Sequence, residues 1–340
     1  MTERVFYEYN SLTNHYHEKF INMILQTGND DGEWVAREKI HGANFSMWYN
    51  GIDPVYFGKR TSDLPDGFNF FSSYKLLDYK KNVELTYSNL IEAGMLDLGD
   101  TVAIFGEIFG GNFFGESEVG SSNVQGGMDY HPGTEFAAYD IMIYGDTEES
   151  AYILSDTEMV EMIDDGIKLC PEIGRGDLYS VLKLDNDFCS KVPELFGLTI
   201  PEGKRPQSEG YVVRPADGEK FLRNGTRIII KSKNDKYSEK GGKTKTPKEE
   251  VVLTDEETEL FKSVSVYLNT SRLEAVVSKI GEVSFKDFGM LTGLLMKDMM
   301  SDYDKDNECT LKSTTMWYKC SKQVGKLAAD IIREYLKGKL

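Results

Sequence analysis

Short apolar runs dominate the first two thirds of the chain, and amphipathic helical spacings dominate the last third. Val102-Ala103-Ile104-Phe105 and the run from Phe136 to Ile143 are aromatic-rich and bounded by Gly, Pro and Asp, the pattern of strands. Trp34-Val35-Ala36 reads as a strand leading to Lys39. Arg227-Ile228-Ile229-Ile230 predicts a buried strand that carries Lys231 and Lys233 at its end. Leu85 to Ala93 and Asp156 to Ile167 read as helices. The texture changes after Lys243-Thr244-Lys245-Thr246-Pro247-Lys248. Thr254 with Glu257, and Ser271 with Glu274, have capping-box spacing. They lead into Leu260, Val264 and Leu268, and into Leu273, Val276, Val277 and Ile280. Trp317, Val324, Leu327, Ile331 and Tyr335 continue the helical spacing. A boundary is therefore expected near 249, between a strand-rich region with intervening helices (1–248) and a helical region (249–340).

Composition narrows the class. A chain of 340 residues with 40% hydrophobic positions can build about two domains and at least one sizeable core. No apolar run approaches the ~20 residues of a membrane span, and the start of the chain has no signal-peptide pattern, so a soluble, cytoplasmic protein is expected. Cys170, Cys189, Cys309 and Cys320 are widely spaced, which suggests reduced thiols and neither a zinc site nor a disulfide framework. His15, His17 and His131 lack metal-ligand spacing.

The net charge of −17 argues at first against a nucleic-acid partner, but its distribution does not. Between Arg223 and Lys248, nine Lys or Arg stand against two acids, giving +7 there and −24 elsewhere. One basic strip on an acidic body can line a polyanion groove.

The candidate chemistry centres on Glu38-Lys39-Ile40-His41-Gly42-Ala43-Asn44. A lysine that ends a strand beside a glycine turn can be held rigidly in a cleft, which a nucleophilic amine needs. An amine attacks only in its neutral form, and neighbouring cations favour that form. Lys59, Arg60, Lys231 and Lys233 could supply that field and contact phosphate. Glu107 and Glu209 could accept ribose hydroxyls or hold a magnesium ion. A lone K-x-x-G segment is usually only a surface turn; its ordered company gives it weight.

That order of Lys39, Lys59-Arg60, Phe105-Gly106-Glu107, Tyr139-Asp140, Glu209-Gly210-Tyr211-Val212-Val213-Arg214 and Lys231-Ser232-Lys233 resembles the covalent nucleotidyltransferases. Within them it is most similar to the phage-type RNA ligase 2 family. Tyr9-Asn10-Ser11-Leu12, Ser278 to Glu282 and Lys286 to Gly289 extend the similarity over nearly the whole chain. The resemblance implies an α+β nucleotidyltransferase domain (ATP-grasp-like) of antiparallel sheets with flanking helices over 1–248. It also implies a small all-helical RNA-binding domain over 249–340.

The resemblance assigns Lys39 as the nucleophile that takes AMP from ATP, with Glu38, Ile40, His41 and Asn44 as flanking nucleotide contacts. Arg60 grips the ribose and the RNA end, Glu107 binds ribose, and Tyr139 stacks on adenine. Glu209 goes with the catalytic Mg2+ (or Mn2+), and Lys231 and Lys233 sit at the α-phosphate. Lys59, Phe70, Phe71, Asp140 and Arg214 are implied to lie against RNA.

The expected activity is ATP-dependent joining of RNA 3′-hydroxyl and 5′-phosphate ends. Nicks in duplex RNA or an RNA/DNA hybrid are the preferred substrate, the protein acts as a monomer, and a phage-encoded chain would work in the host cytoplasm. The alternatives are a DNA ligase, a GTP-dependent capping enzyme, or a catalytically silent nucleic-acid-binding protein. Two positions depart from the family pattern. Ala43 stands where threonine is usual and Arg214 where lysine is usual, so an altered rate or end preference is expected.

Overall fold

The computed structural model describes residues 4–15, 17–145, 151–237 and 254–337. Its contacts divide the chain into two units, Met1–Asn234 and Asp235–Leu340. The boundary expected near 249 lies outside the described residues, as do Lys240 to Lys248 of the basic strip.

The first unit runs β1 (Thr13–Asn14), α1 (Glu18–Gln26), β2 (Trp34–Glu38), β3 (Ala43–Tyr49), β4 (Tyr56–Lys59), β5 (Ser62–Asp63) and α2 (Tyr79–Glu92). It continues with β6 (Thr101–Asn112), β7 (His131–Tyr144), β8 (Tyr152–Ile153), α3 (Asp156–Met162), β9 (Lys168–Leu169) and β10 (Glu172–Gly176). The short helices α4 (Leu178–Leu182) and α5 (Val192–Leu195) precede β11 (Gly210–Pro215) and β12 (Ile230–Lys233). One sheet has the order β1-β12-β11-β2-β10. The other has β5-β4-β3-β6-β7-β8, with β9 pairing β7. The pairs are antiparallel except β1 with β12 and β9 with β7. With the helices beside them, they make an α+β architecture.

Alternation along the strands gives each sheet its faces. In the first sheet Trp34, Ala36, Tyr211, Val213 and Ile230 form one apolar face with Leu178 and Val181. The opposite face carries Arg37, Arg214, Lys231 and Lys233, and Lys39 follows in the same alternation. In the second sheet Ala43, Phe45, Met47, Ile104 and Phe136 belong to the largest core, and Trp48, Phe105 and Met142 to another. The helix expected over 156–167 stops at Met162: Ile163 is already extended, and the Asp164 carboxylate accepts from the Gly166 amide in a local turn.

The second unit is helical: α6 (Asp255–Ser265), α7 (Thr270–Ile280), α8 (Phe288–Asn307) and α9 (Trp317–Lys337). Phe261, Val264, Leu273, Leu291, Leu295, Val324 and Ile332 share its core. Thr254 and Glu257 form the expected capping box. The second box does not form. Asn269 caps α7 by accepting from the Arg272 amide, and Ser271 lies inside the helix.

Candidate functional site

Lys39 follows the last residue of β2, and its amide donates to the Gly210 carbonyl (2.9 Å), extending the ladder by one step. Gly210 pairs with Lys233, so Lys39 and Lys233 flank a residue with no side chain. Glycine is required at Gly210: its φ is +138°, and a Cβ there would lie 2.0 Å from the Ser232 carbonyl oxygen. Gly42 is required for a different reason. A Cβ would lie 2.2 Å from the Ile108 carbonyl oxygen and 2.9 Å from Glu107 Cγ. The turn after Lys39 is therefore pressed against β6, and the Gly42 amide donates to Glu107 Oε1 (3.0 Å).

The Lys39 ammonium donates to Glu209 Oε2 (2.8 Å). Lys233 pairs with Oε1 (2.9 Å), and His41 Nδ1 lies 3.3 Å from Oε2. Glu209 is 1% exposed. Burial alone would raise its carboxyl, but Lys233, Lys39 and His41 hold it well below the usual carboxylate range. Glu107 behaves oppositely. Burial, with the nearby Glu209 charge adding to it, pushes its carboxyl up to about 7 against the lowering effects of Lys39 and His41. Two carboxylates in adjacent positions thus take different charge states near neutral pH, the arrangement of an acid–base pair.

Asn44 and Tyr139 lie on the same face of the second sheet as Glu107. Asn44 Nδ2 donates to the Tyr139 hydroxyl, and the Tyr139 ring packs 5.1 Å from Tyr9. Arg60 donates to Ser11 Oγ (3.0 Å), and its charge is felt at Tyr139. Lys231 lies two residues before Lys233 on β12 and so on the same face. The structure therefore brings together Lys39, His41, Asn44, Glu107, Tyr139, Glu209, Lys231 and Lys233, with Arg60 at the margin. Ile40 is buried. Glu38 is on the other face of its sheet, where Oε2 accepts from the Lys191 amide (2.9 Å). Any nucleotide contact by Glu38 would come from its backbone.

Four residues expected at RNA are buried instead of lying on the surface. Phe70 and Phe71 lie in the largest core of the first unit, with Phe70 against Phe45. Asp140 and Arg214 are fully enclosed in an ionic network that joins the two sheets. Arg214 donates to Asp140 Oδ1 (3.0 Å), to the Leu154 carbonyl (2.5 Å) and to Glu219; Arg227 binds Asp140 and Glu219 Oε2 (2.6 Å). Tyr9 donates to Asp140 Oδ2 (2.9 Å). All four side chains are buried, which counts against their meeting a polynucleotide in this conformation. The network also accounts for arginine at 214: a lysine ammonium is a single point that cannot span acceptors on one strand and two loops. Ala43 points into the apolar core, where a threonine hydroxyl would be buried. Lys59 pairs in register with Phe45, so it shares the face away from Asn44.

Several residues with evident roles carry no local sequence signal. Arg37 is held by Asp156 (2.5 and 2.8 Å) and by the Cys170 carbonyl (2.9 Å), while Arg175 reaches the same aspartate (3.1 Å). Gln125 donates to the Gly42 carbonyl (3.1 Å), and the His41 amide donates to the Tyr130 hydroxyl (3.3 Å). The β6–β7 connection thereby braces the turn that carries Lys39.

Glu107 and Glu209 supply oxygen donors of the kind a hard divalent cation takes, although both Glu209 oxygens face cationic side chains and Glu107 Oε1 accepts from the Gly42 amide. Among the described residues no group of three or more His, Cys, Asp or Glu is placed to hold an ion. A magnesium-type ion commonly takes one or two carboxylates and completes its shell with phosphate and water. Among the described residues no helix is long and apolar enough to cross a membrane.

Comparison with known proteins gives concordant matches. Residues 32–233 match the family model described as RNA ligase, and residues 250–326 match the one described as T4 RNA ligase 2 C-terminal. RNA-editing ligase 2, mitochondrial, from Trypanosoma brucei brucei is 25% identical over 89% of this chain and 84% of its own length. RNA-editing ligase 1, mitochondrial, from the same organism is 25% identical over 89% of this chain and 76% of its own. Among solved structures, an apo mutant of Naegleria gruberi RNA ligase superposes with a TM-score of 0.44 at 16% identity. Another mutant of that ligase, with AMP and manganese, gives 0.43 at 15%. Each alignment covers 68% of this chain and just over half (56%) of the other.

Proposed function

The chain belongs to the RNA ligase family, and from that premise we propose that it is an ATP-dependent RNA ligase working through a covalent Lys39–AMP. The reading rests on one observation above all: Lys39 and Lys233 converge on the buried Glu209 carboxylate, with His41 beside them. In the first step the Lys39 ammonium gives up a proton and attacks the α-phosphorus of ATP as the neutral amine, a P–N bond forms as the nitrogen loses a second proton, both protons pass to solvent, and pyrophosphate leaves with the P–O bond electrons. In the second, a 5′-phosphate oxygen of RNA displaces Lys39 and takes the AMP. In the third, the RNA 3′-hydroxyl attacks that phosphate, loses its proton and releases AMP. All three are phosphoryl transfers, so the protein's part is positioning and charge stabilisation.

The residues divide that work. Glu209 orients the Lys39 amine through the 2.8 Å hydrogen bond. Lys233 and Lys231 face the α-phosphate and absorb negative charge as pyrophosphate departs. Asn44 and Arg60 meet the nucleotide and the RNA end, and Tyr139 offers its ring to adenine. Glu107 holds the ribose hydroxyls in its ionised form. Glu209 with Glu107 would hold Mg2+ or Mn2+, which neutralises phosphate charge when bound. The helical second unit would contact a duplex flanking a nick through phosphates and 2′-hydroxyls, largely without reading sequence.

Intact-mass spectrometry after incubation with ATP and magnesium tests the core of this reading. The wild type gains one AMP and Lys39→Ala gains none. Absence of the adduct in folded wild-type protein free of pre-bound AMP would sink the covalent mechanism.

A further inference from the structure

Lys39, Lys231 and Lys233 stand on or just beyond strands of the first sheet, but the remaining cation of the cleft does not. Arg60 belongs to the second sheet. Gly58 pairs with Asp63 and Lys59 with Ser62, so Arg60 and Thr61 are the two turn residues that join β4 to the edge strand β5. A long side chain at such a tip has wide rotamer freedom, and a partner must restrict it before it can be aimed. Among the described residues Arg60 has no carboxylate partner. Its guanidinium Nη2 donates to the Ser11 hydroxyl (3.0 Å).

Ser11 is itself held from both sides. Two residues earlier, the buried Tyr9 donates its hydroxyl to Asp140 Oδ2 (2.9 Å), and its ring packs against Phe105 (5.0 Å) and Tyr139 (5.1 Å). Two residues later, Thr13 opens β1, the parallel partner of β12, with Thr13 opposite Ile230 and Asn14 opposite Lys231. The His15 amide then donates to the Lys231 carbonyl (2.9 Å). Two residues of extended chain span at most about 7 Å, so Ser11 stays close to both anchors. Residues 9–14 therefore run from the Tyr139 wall of the second sheet to the strand of the first that carries Lys231. The contact with Arg60 lies in the middle of that run.

The chemistry of the partner matters as much as its place. Arg214 and Arg227 are neutralised by Asp140 and Glu219. A serine hydroxyl accepts one N–H of Arg60 but carries no charge, which leaves the guanidinium its full positive charge and its other donors. Arg60 is thus aimed without being cancelled.

We infer that Ser11 is a positioning residue for Arg60, holding the guanidinium at a set distance from Lys231 and Lys233 so that the three cations face one phosphoryl group. That group belongs either to the nucleotide or to the 5′ end of the RNA. This role for Ser11 rests on the RNA-ligase reading above.

A double-mutant cycle on the full chain tests it, with Ser11→Ala, Arg60→Ala and the double variant each checked by thermal unfolding for a wild-type Tm. One arm measures AMP attachment with ATP and magnesium alone. The other starts from protein already carrying AMP, with ATP removed, and measures sealing of nicked duplex RNA. Ser11→Ala is expected to lower kcat/KM about 2- to 10-fold, the worth of one hydrogen bond. The loss falls in the first arm if the phosphoryl group is the nucleotide's and in the second if it is the RNA's. In the Arg60→Ala background the same change should cost nothing further, because a residue acting through Arg60 has nothing left to place. Ser11→Thr keeps the hydroxyl and the rate, whereas Ser11→Asp, which would neutralise the guanidinium, should approach Arg60→Ala. Wild-type kcat/KM for Ser11→Ala in both arms, or losses that multiply in the double variant, would overturn the role of Ser11. Failure of the wild type to take up AMP or to seal RNA would instead overturn the ligase reading itself.

Discussion

At the scale of the residue, the site works by unequal treatment of similar groups. Glu209 is held well below the usual carboxylate range because Lys233, Lys39 and His41 face it, whereas Glu107 and Glu38 are pushed up to about 7, chiefly by burial. Glu107→Gln should remove an inflection near pH 7 from the pH profile of AMP attachment, because it deletes the one carboxyl of the cleft that titrates there. An unchanged profile would show that another group sets it. Glu38 has a measurable effect on folding. It is 2% exposed, and among the described residues its Oε1 has no hydrogen-bond partner. Since its folded value of about 7 lies above its ordinary 4.5, the native chain binds more protons than the unfolded one between those values. The stability it contributes is whole below pH 4.5 and is lost as pH rises through about 7. Glu38→Gln does not titrate, so its stability relative to wild type should rise by about 3 kcal/mol between pH 4.5 and 8. Urea unfolding of both proteins at the two pH values measures this, and parallel curves would refute it.

At the scale of the element, strand and helix patterns were legible in the sequence wherever one face is apolar and the other is not. Val102 to Phe105 falls in β6 and Phe136 to Ile143 in β7, because period-2 alternation and turn residues are local signals. Helix ends were harder to read. The α7 cap moved from Ser271 to Asn269, since spacing alone cannot say which of two polar side chains reaches the free amides. Asn269→Ala should therefore destabilise the helical unit by about 1 kcal/mol, while Ser271→Ala should change it by less; thermal unfolding of the two variants separates them. Least legible were the ionic joints. Arg37 and Asp156 are 119 residues apart, and Arg214 and Asp140 are 74 apart. No local periodicity marks such pairs, so the sequence does not show that Asp140 and Arg214, which the family resemblance implies to lie against RNA, bind each other across the two sheets. Arg214→Lys would keep one charge and leave buried acceptors unmet, so a loss of about 1–3 kcal/mol in urea unfolding is expected.

At the scale of the whole molecule, the order of short motifs was the readable part of the site, because each cleft residue sits on or beside a strand whose own pattern is clear. Lys39 ends β2, Glu107 is within β6, Glu209 precedes β11 and Lys233 ends β12. All of them belong to the unit Met1–Asn234, and none to Asp235–Leu340. Among the described residues, the helical core and the cores of the sheets share no residue. Activation of the nucleotide and engagement of RNA should then come apart on truncation. A chain ending at Tyr237 should still attach AMP to Lys39, at a rate within a few-fold of the full chain, because every group proposed for that step is retained. The same chain should lose sealing by a much larger factor, with the loss concentrated in KM for RNA and deepening as salt rises, the signature of missing phosphate contacts. Measuring AMP attachment and sealing side by side on the two chains decides the matter. Equal loss of both would mean that the helical unit completes the nucleotide site.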